Sequence, residues 1–431
     1  MRGTFVGTVA AALIAIEPAP GGLIVVPRDA PTIQAGLDLS TAGDTVLVQP
    51  GTYLEHVLFP EHDVSLASVH GAEVTAINGM QSGTPVTIDR GDHSGTVLEG
   101  FALRRGHAED GGGIRISGAS PTIRDNIISN NHATDDGGGI LVDGGGAPWI
   151  VGNRIDQNSA SSSGAALSLE GAGSVVVEGN EISDNAGYYS GAVSASASGR
   201  LVFRDNLIAG NSSDHGSGGV SISRCDTALV VGGSISWNSG GGKGGGVSNR
   251  STATEIRNVD IVANHADSHG GGIYHSDYAS DERALTVLGC RIVGNSSASR
   301  GGGIYSEDGD IRIEHCTIAG NTLDDPSDQG AGIYLGRPSS VPTILGSIIA
   351  NNVPDGIYGY DYNDKVDVDL IRNLMWGHSG DHYGNVRPGA LDIIADPLPI
   401  APDSMDWRLR ADSPAIDAGL AEWEVPEGGG A

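Results

Sequence analysis

The chain has 431 residues, with 24 Lys+Arg against 53 Asp+Glu for a net charge of −29, 68 glycines and only 5% aromatic residues. No apolar run approaches the ~20 residues of a transmembrane helix, and no basic stretch is available to neutralise nucleic-acid phosphates. Glycine at this density costs about 1 kcal/mol per helical position, which disfavours helix bundles, and it lacks the every-third spacing of collagen.

Met1 and Arg2 precede an apolar stretch from Phe5 to Ile16. That is short for a membrane span and suits the h-region of a secretory signal. Residues 1–20 are therefore read as a signal peptide, and the protein as secreted or displayed at a cell surface of bacterial type. Residues 21–105 form an N-terminal cap and the first irregular coils. Within them Ile33 and Leu37 are four apart, so they share the apolar face of a short helix that closes the N-terminal end.

Residues 106–352 are a repeat. A glycine-rich approach to an aliphatic residue recurs nine times, at Ile114, Ile140, Leu167, Val193, Val220, Val247, Ile273, Ile304 and Ile333, in steps of 26 to 31 residues. An I-x-x-N motif keeps the same beat, from Ile128/Asn131 through Ile155/Asn158 and Ile182/Asn185 to Ile348/Asn351. A third aliphatic column lies five residues before each of these isoleucines, from Ile123 to Thr343, and a shorter column of Asn126, Asn153, Asn180 and Asn206 sits between. Three short aliphatic segments per unit have one natural solution: each unit is one turn of a coil, and strands of successive turns pair in parallel about 4.8 Å apart. The fold class is all-β, a right-handed parallel β-helix of about a dozen coils, nine of them regular. Asparagine suits the bends because it tolerates left-handed backbone angles, and stacked amides can bond along the axis.

Cys225, Cys290 and Cys316 make neither a disulfide framework nor a metal quartet. Cys290 and Cys316 fall at the same place in neighbouring units and are read as a buried stack. Residues 353–431 lose the repeat, gain Trp376, Trp407 and Trp423, and are read as the last coils and a C-terminal cap.

GGGIY at 301–305, with I-x-x-N one segment earlier, resembles the GGxI and FxxN repeats of polymorphic outer-membrane proteins, with Ile in place of Phe. APTIQAGLDLSTAGDTVLVQPGTYLE at 30–55 resembles the opening of pectin-lyase-like β-helix proteins, in which a short helix plugs the first coil. ADPL at 395–398 and WRLRADSPAIDAG at 407–419 resemble the closing segment of secreted β-helix proteins that usually continue into a surface anchor. These resemblances imply architecture strongly and activity weakly, since the shared residues are structural. No complete lyase motif is present, so no catalytic residue is carried over from them.

Candidate chemistry gathers late in the stack. Two connections are longer than their counterparts, Ile273 to Val287 and Asn321 to Ile333, and loops carry function more often than strands. Between Lys243 and Tyr305 there are six Lys/Arg and six Asp/Glu, so this window is neutral in an acidic chain. Four residues before the glycine-rich column, Lys243, His269 and Arg300 should line one lip, one coil apart. One residue after it, Tyr274, Tyr305 and Tyr334 should stack outward. The functional reading is a groove for an acidic polysaccharide. Arg300 or a cation would neutralise a uronate, Lys243 or His269 would remove the adjacent proton, and a tyrosine such as Tyr274 would protonate the leaving oxygen, with Tyr278, Tyr305, Tyr189 and Arg250 binding substrate. The competing reading is a solvated lip of mixed charge.

A second candidate is the pair Asp110 and Asp136, with Glu109 and Asp135 beside them. One coil apart, the pair would approach the ~5 Å spacing of a retaining glycosidase or gather Ca²⁺, the one cofactor considered. Solvated acidic loops are the alternative. Asp361, Asn363, Asp367 and Asp369 alternate and are a weaker Ca²⁺ candidate. GGGKGGG at 240–246 is not a phosphate loop, because no Ser/Thr follows Lys243. The expected partner is a polysaccharide or cell-surface glycan. The expected function is binding with lyase-type cleavage, lyase being favoured over hydrolase. The alternative is a non-catalytic surface protein or adhesin that uses the coil as a rigid spacer.

Overall fold

A computed structural model describes residues 21–89, 91, 93–277, 283–360 and 365–416. Each regular turn makes four strands, as in Thr122–Arg124, Ile127–Ser129, His132–Ala133 and Ile140–Asp143. Stacked turn on turn, these build parallel sheets A (14 strands), B (14), the narrow C (nine) and D (13). The chain is thus a right-handed parallel β-helix.

The columns inferred from the repeat are in register. Ile114 pairs with Ile140, Ile140 with Leu167, and the series runs unbroken to Ile304 with Ile333. Ile128, Ile155 and Ile182 stack in sheet B and are fully buried. One continuous aliphatic core therefore runs the length of the coil. At about 25 cal/mol per Å² of apolar area removed from water, that core is the main stabilising term.

The last regular unit slips by one residue. Ile349, not Ile348, pairs with Ile318, and Asn321 donates to Asn352, not Asn351. Ile344, not Thr343, pairs with Ile313. The segment reads I-I-A-N-N, so both registers satisfy the motif. Burial of Ile344 in place of the hydroxyl of Thr343 selects the second.

Asparagine ladders seal two corners. From Asn131 to Asn352 nine amides stack, and each interior side chain bonds the next. Asn185 Nδ2 donates to Asn211 Oδ1 at 2.9 Å, and Asn211 Nδ2 to Asn238 Oδ1 at 2.9 Å. Each Nδ2 also donates to a carbonyl of the preceding turn, as Asn211 does to Ile182 O at 3.0 Å. The shorter ladder of Asn126, Asn153, Asn180 and Asn206 does the same. Cys290 and Cys316 occupy the later turns of that corner. Both are buried, and Cys290 N–H lies 3.4 Å from Cys316 Sγ.

Helix α1 (Ile33–Leu39) closes the N-terminal end, with Thr32 as its N-cap and Ile33 and Leu37 buried. At the other end a hairpin of Pro399–Ala401 and Asp406–Leu409 doubles back along the outside of sheet B. There Trp407 packs on Val293, Ala319 and Ala350, and Arg291 donates to Met405 O at 2.9 Å. Trp407 thus covers a side wall rather than the open end, while Trp376 stays 37% exposed. Residues 1–20, Tyr278, Asp361, Asn363 and Trp423 lie outside the described residues.

Candidate functional site

Strand alternation in sheet D points one side chain per turn away from the core. Down this outer column the residues are Ser168, Ser194, Ser221 and Ser248, then Tyr274, Tyr305, Tyr334 and Tyr358. A floor of small hydroxyls thus gives way to a stack of rings. Centroid spacings are 5.7 Å for Tyr274–Tyr305, 5.0 Å for Tyr305–Tyr334 and 5.6 Å for Tyr334–Tyr358, with interplanar angles of 9°, 8° and 20°. The rings face away from the core as expected, yet Tyr274, Tyr305 and Tyr334 are buried.

The residues that cover them are those of the lip. Lys243, His269 and Arg300 are in register one turn apart: Gly244 N–H bonds His269 O, and Gly270 N–H bonds Arg300 O, both at 3.0 Å. Each lip side chain lies over the tyrosine of the following turn. Lys243 Nζ is 4.5 Å from the Tyr274 centroid, the His269 ring stacks on Tyr305 at 4.7 Å, and Arg300 Cζ is 5.2 Å from the Tyr334 centroid. Arg250 approaches Tyr274 from the serine side at 5.6 Å. Cation–π contacts of this kind contribute about 0.5–2 kcal/mol each.

Glu307 ties the centre together. Its Oε2 accepts from Lys243 Nζ at 3.0 Å and from the Tyr274 hydroxyl, which also accepts from Lys243 Nζ at 2.9 Å. Glu307 carried no signal in the repeat because its column, which holds Asp143, Glu170, Ser196, Ser223, Arg250 and Ser276 in earlier turns, changes residue type from turn to turn. Burial lowers the pKa of His269, with help from the Lys243 and Arg300 charges, so its ring is neutral near pH 7. Burial likewise raises the pKa of the Tyr305 hydroxyl, and pushes Tyr334 up to about 12 against the opposing pull of Arg300.

Two clefts flank this centre. One of about 220 Å³ lies on the serine floor, lined by Ser194, Ser221, Ser248, Tyr189, His215 and Arg250. The other, about 260 Å³, is lined by Arg300, Tyr305, Glu307, Tyr334, Arg337 and Tyr360. Tyr189 is 54% exposed at the first and does not reach the ring stack. Behind the stack, in the core itself, an aliphatic column turns polar: Ala195 and Ile222 are followed by Asn249, His275 and Ser306. Asn249 lies 3.2 Å from His275 Nδ1 and accepts from Thr254. Burial holds His275 down at about 4.

Asp110 and Asp136 lie on the same corner many turns earlier. Asp110 Oδ1 accepts from Asp136 N–H at 3.4 Å and Asp136 Oδ1 from Ser163 N–H at 2.7 Å. Each carboxylate thus caps the backbone of the next turn, while Arg115 pairs with Asp110 at 3.6 Å and Asp143 at 3.4 Å. Among the described residues no three His, Cys, Asp or Glu side chains are grouped to hold a metal ion.

Residues 86–261 match the family model described as a right handed beta helix region. The chain is also similar to the catalytic domain of a GH87 α-1,3-glucanase in complex with nigerose, at 11% identity over 88% of this chain and 69% of that one, with a TM-score of 0.45. A GH87 α-1,3-glucanase from Streptomyces thermodiastaticus strain HF3-3 matches at 14% identity over 88% and 71%, with a TM-score of 0.37. A pectin methylesterase in complex with a hexasaccharide matches at 9% identity over 82% and 93%, with a TM-score of 0.26. No curated protein matches the sequence. The coiled architecture agrees with the pectin-lyase-like β-helix expected from residues 30–55. At identities this low the similarity concerns architecture rather than chemistry.

Proposed function

We propose that the protein binds an acidic polysaccharide along the outer face of sheet D, outside the cytoplasm. The observation that carries this reading is the placement of Arg250 and Arg300 at the two clefts of that face. Among the described residues neither has a carboxylate partner, in a chain whose net charge is −29. Guanidinium forks match carboxylates and sulfates in geometry, and the hydroxyls of Ser194, Ser221 and Ser248 offer donors and acceptors to a sugar. The apolar stretch at Phe5–Ile16 supports export.

Cleavage is the finer form of the same proposal. In it the Tyr274 hydroxyl protonates the leaving oxygen and Arg300 neutralises the uronate. Lys243 acts as the base only as the neutral amine, so its proton must first pass to Glu307, whose Oε2 is 3.0 Å away, and the amine then takes the proton beside the uronate.

A second reading, a surface protein that uses the coil as a rigid spacer, is favoured by the interlocked Lys243–Tyr274–Glu307 contact and by nine turns of unbroken asparagine ladder. Calorimetric titration with polygalacturonate, alginate and glycosaminoglycans separates the two. Binding that weakens about tenfold or more in Arg250→Ala/Arg300→Ala, with none to neutral glucan, supports the groove. Equal binding by both proteins, or none by either, favours the spacer. Appearance of unsaturated product, followed by absorbance, decides cleavage.

A further inference from the structure

A cleft at the corner between sheets B and C, in the first coils, belongs to neither region above. Its volume is about 670 Å³, more than twice that of either sheet-D cleft. Arg104 ends the sheet-B strand Ala102–Arg104 and points outward, since Leu103 before it is buried. Arg105 adopts the left-handed conformation (φ 58°), which turns its side chain round the corner into the same cleft. Asn130 (φ 56°) and Gln157 (φ 54°) repeat that corner position in the next two turns, so the three side chains form a row. Gln81 (φ 58°) stands one turn before Arg105, its backbone N–H bonded to Arg105 O at 2.7 Å, and lines the same cleft. His132 forms the wall, its Nδ1 2.9 Å from Ser159 Oγ and its ring 4.9 Å from that of His107.

Two features make this more than a solvated corner. Both arginines are exposed, and among the described residues neither forms an ion pair. No carboxylate lines the cleft, although Asp+Glu outnumber Lys+Arg by 53 to 24 in the chain. The side-chain amides of Gln81, Asn130 and Gln157 make no hydrogen bond to other described residues, so donors and acceptors remain for a ligand. A cleft of a few hundred Å³ is the size of a small-molecule site.

We propose that this cleft binds one acidic sugar residue, its carboxylate or sulfate held by Arg104 and Arg105 and its hydroxyls by the Gln81, Asn130 and Gln157 amides. A paired guanidinium site gives the bidentate recognition that planar or tetrahedral oxyanions need. The site does not depend on the sheet-D reading.

Calorimetry with two probes, a heparin-derived sulfated tetrasaccharide and tetragalacturonate, tests it and tells sulfate from carboxylate. The full chain should bind two equivalents of the preferred probe, and Arg104→Gln/Arg105→Gln should lose one of them, its affinity falling about tenfold or more. Both arginines are exposed, so the variant should keep the circular dichroism and melting temperature of the parent. One equivalent that vanishes in the Arg104→Gln/Arg105→Gln protein upholds this cleft and removes the sheet-D site. One equivalent that vanishes only in Arg250→Gln/Arg300→Gln, unchanged stoichiometry and affinity in the Arg104→Gln/Arg105→Gln protein, or no binding of either probe overturns it.

Discussion

Asn352 donates its backbone N–H to Nδ1 of His378 at 3.1 Å, and the other ring nitrogen of His378 lies 3.1 Å from Ile349 O. The imidazole thus does at the end of the long ladder what the next asparagine does within it. One nitrogen accepts from a backbone N–H, and the other donates to a carbonyl of the turn before.

That substitution makes the last turns acid-sensitive. Burial, with His382 nearby, brings His378 from 6.5 to about 4. The unfolded chain therefore binds more protons between these values. The contribution is fully present above pH ~6.5 and is lost as pH falls toward ~4, about 3 kcal/mol in all. His378→Asn keeps both hydrogen bonds and should hold stability at pH 7 while flattening the acid limb of the stability profile. His275, depressed to about 4 as well, supplies the residual slope. His378→Ala should cost about 2 kcal/mol at pH 7. Chemical denaturation at pH 7 and pH 5 measures all three.

Within the ladder the cost of a break is larger. Asn211 accepts from Asn185 N–H and Nδ2 and donates to Ile182 O, Ala209 O and Asn238 Oδ1. Asn211→Leu orphans buried groups on both sides and should destabilise by about 3 kcal/mol in urea titration. A solenoid couples nearest neighbours, so hydrogen exchange should rise in the adjoining turns before distant ones.

Alkaline titration should resolve the ring stack. Of eleven tyrosines, Tyr334 should ionise near 12 and Tyr305 later still, both held protonated first by burial. A raised tyrosine value means stability is present below the unfolded value of about 10 and drains as pH climbs above it. Absorbance of phenolate should therefore rise in two phases, the second coinciding with unfolding. A single phase near 10 would show the stack open to solvent.

All three cysteines are buried, and burial raises the Cys225 and Cys316 thiols. A thiolate reagent should label none in the native protein and three in denaturant.

Much of this architecture was legible because a repeat turns sequence distance into contact. Ile128, Ile155 and Ile182 had to coincide in space once the 27-residue step was recognised, and so did Lys243, His269 and Arg300. The helix at Ile33–Leu39 followed from two apolar residues four apart. What escaped was whatever one turn has alone. Glu307 stands in a column of mixed residue types, with Glu170, Arg250 and Ser276 before it, so its contact with Lys243 was invisible. The diagonal fit of each lip residue onto the next turn's tyrosine depends on side-chain reach rather than register. Arg104 and Arg105 sit in the irregular coils before residue 106, where no column fixes the stacking. The doublets Ile348–Ile349 and Asn351–Asn352 satisfied two registers equally, and only packing chose between them.

The most direct test of the polysaccharide reading is a crystal structure of the protein with an acidic oligosaccharide at saturating concentration. The account requires sugar carboxylates or sulfates within ion-pair distance of Arg250 or Arg300, with the chain lying along the outer face of sheet D. An oligosaccharide that leaves that face bare, with Lys243, Tyr274 and Glu307 still closed on one another, would contradict it.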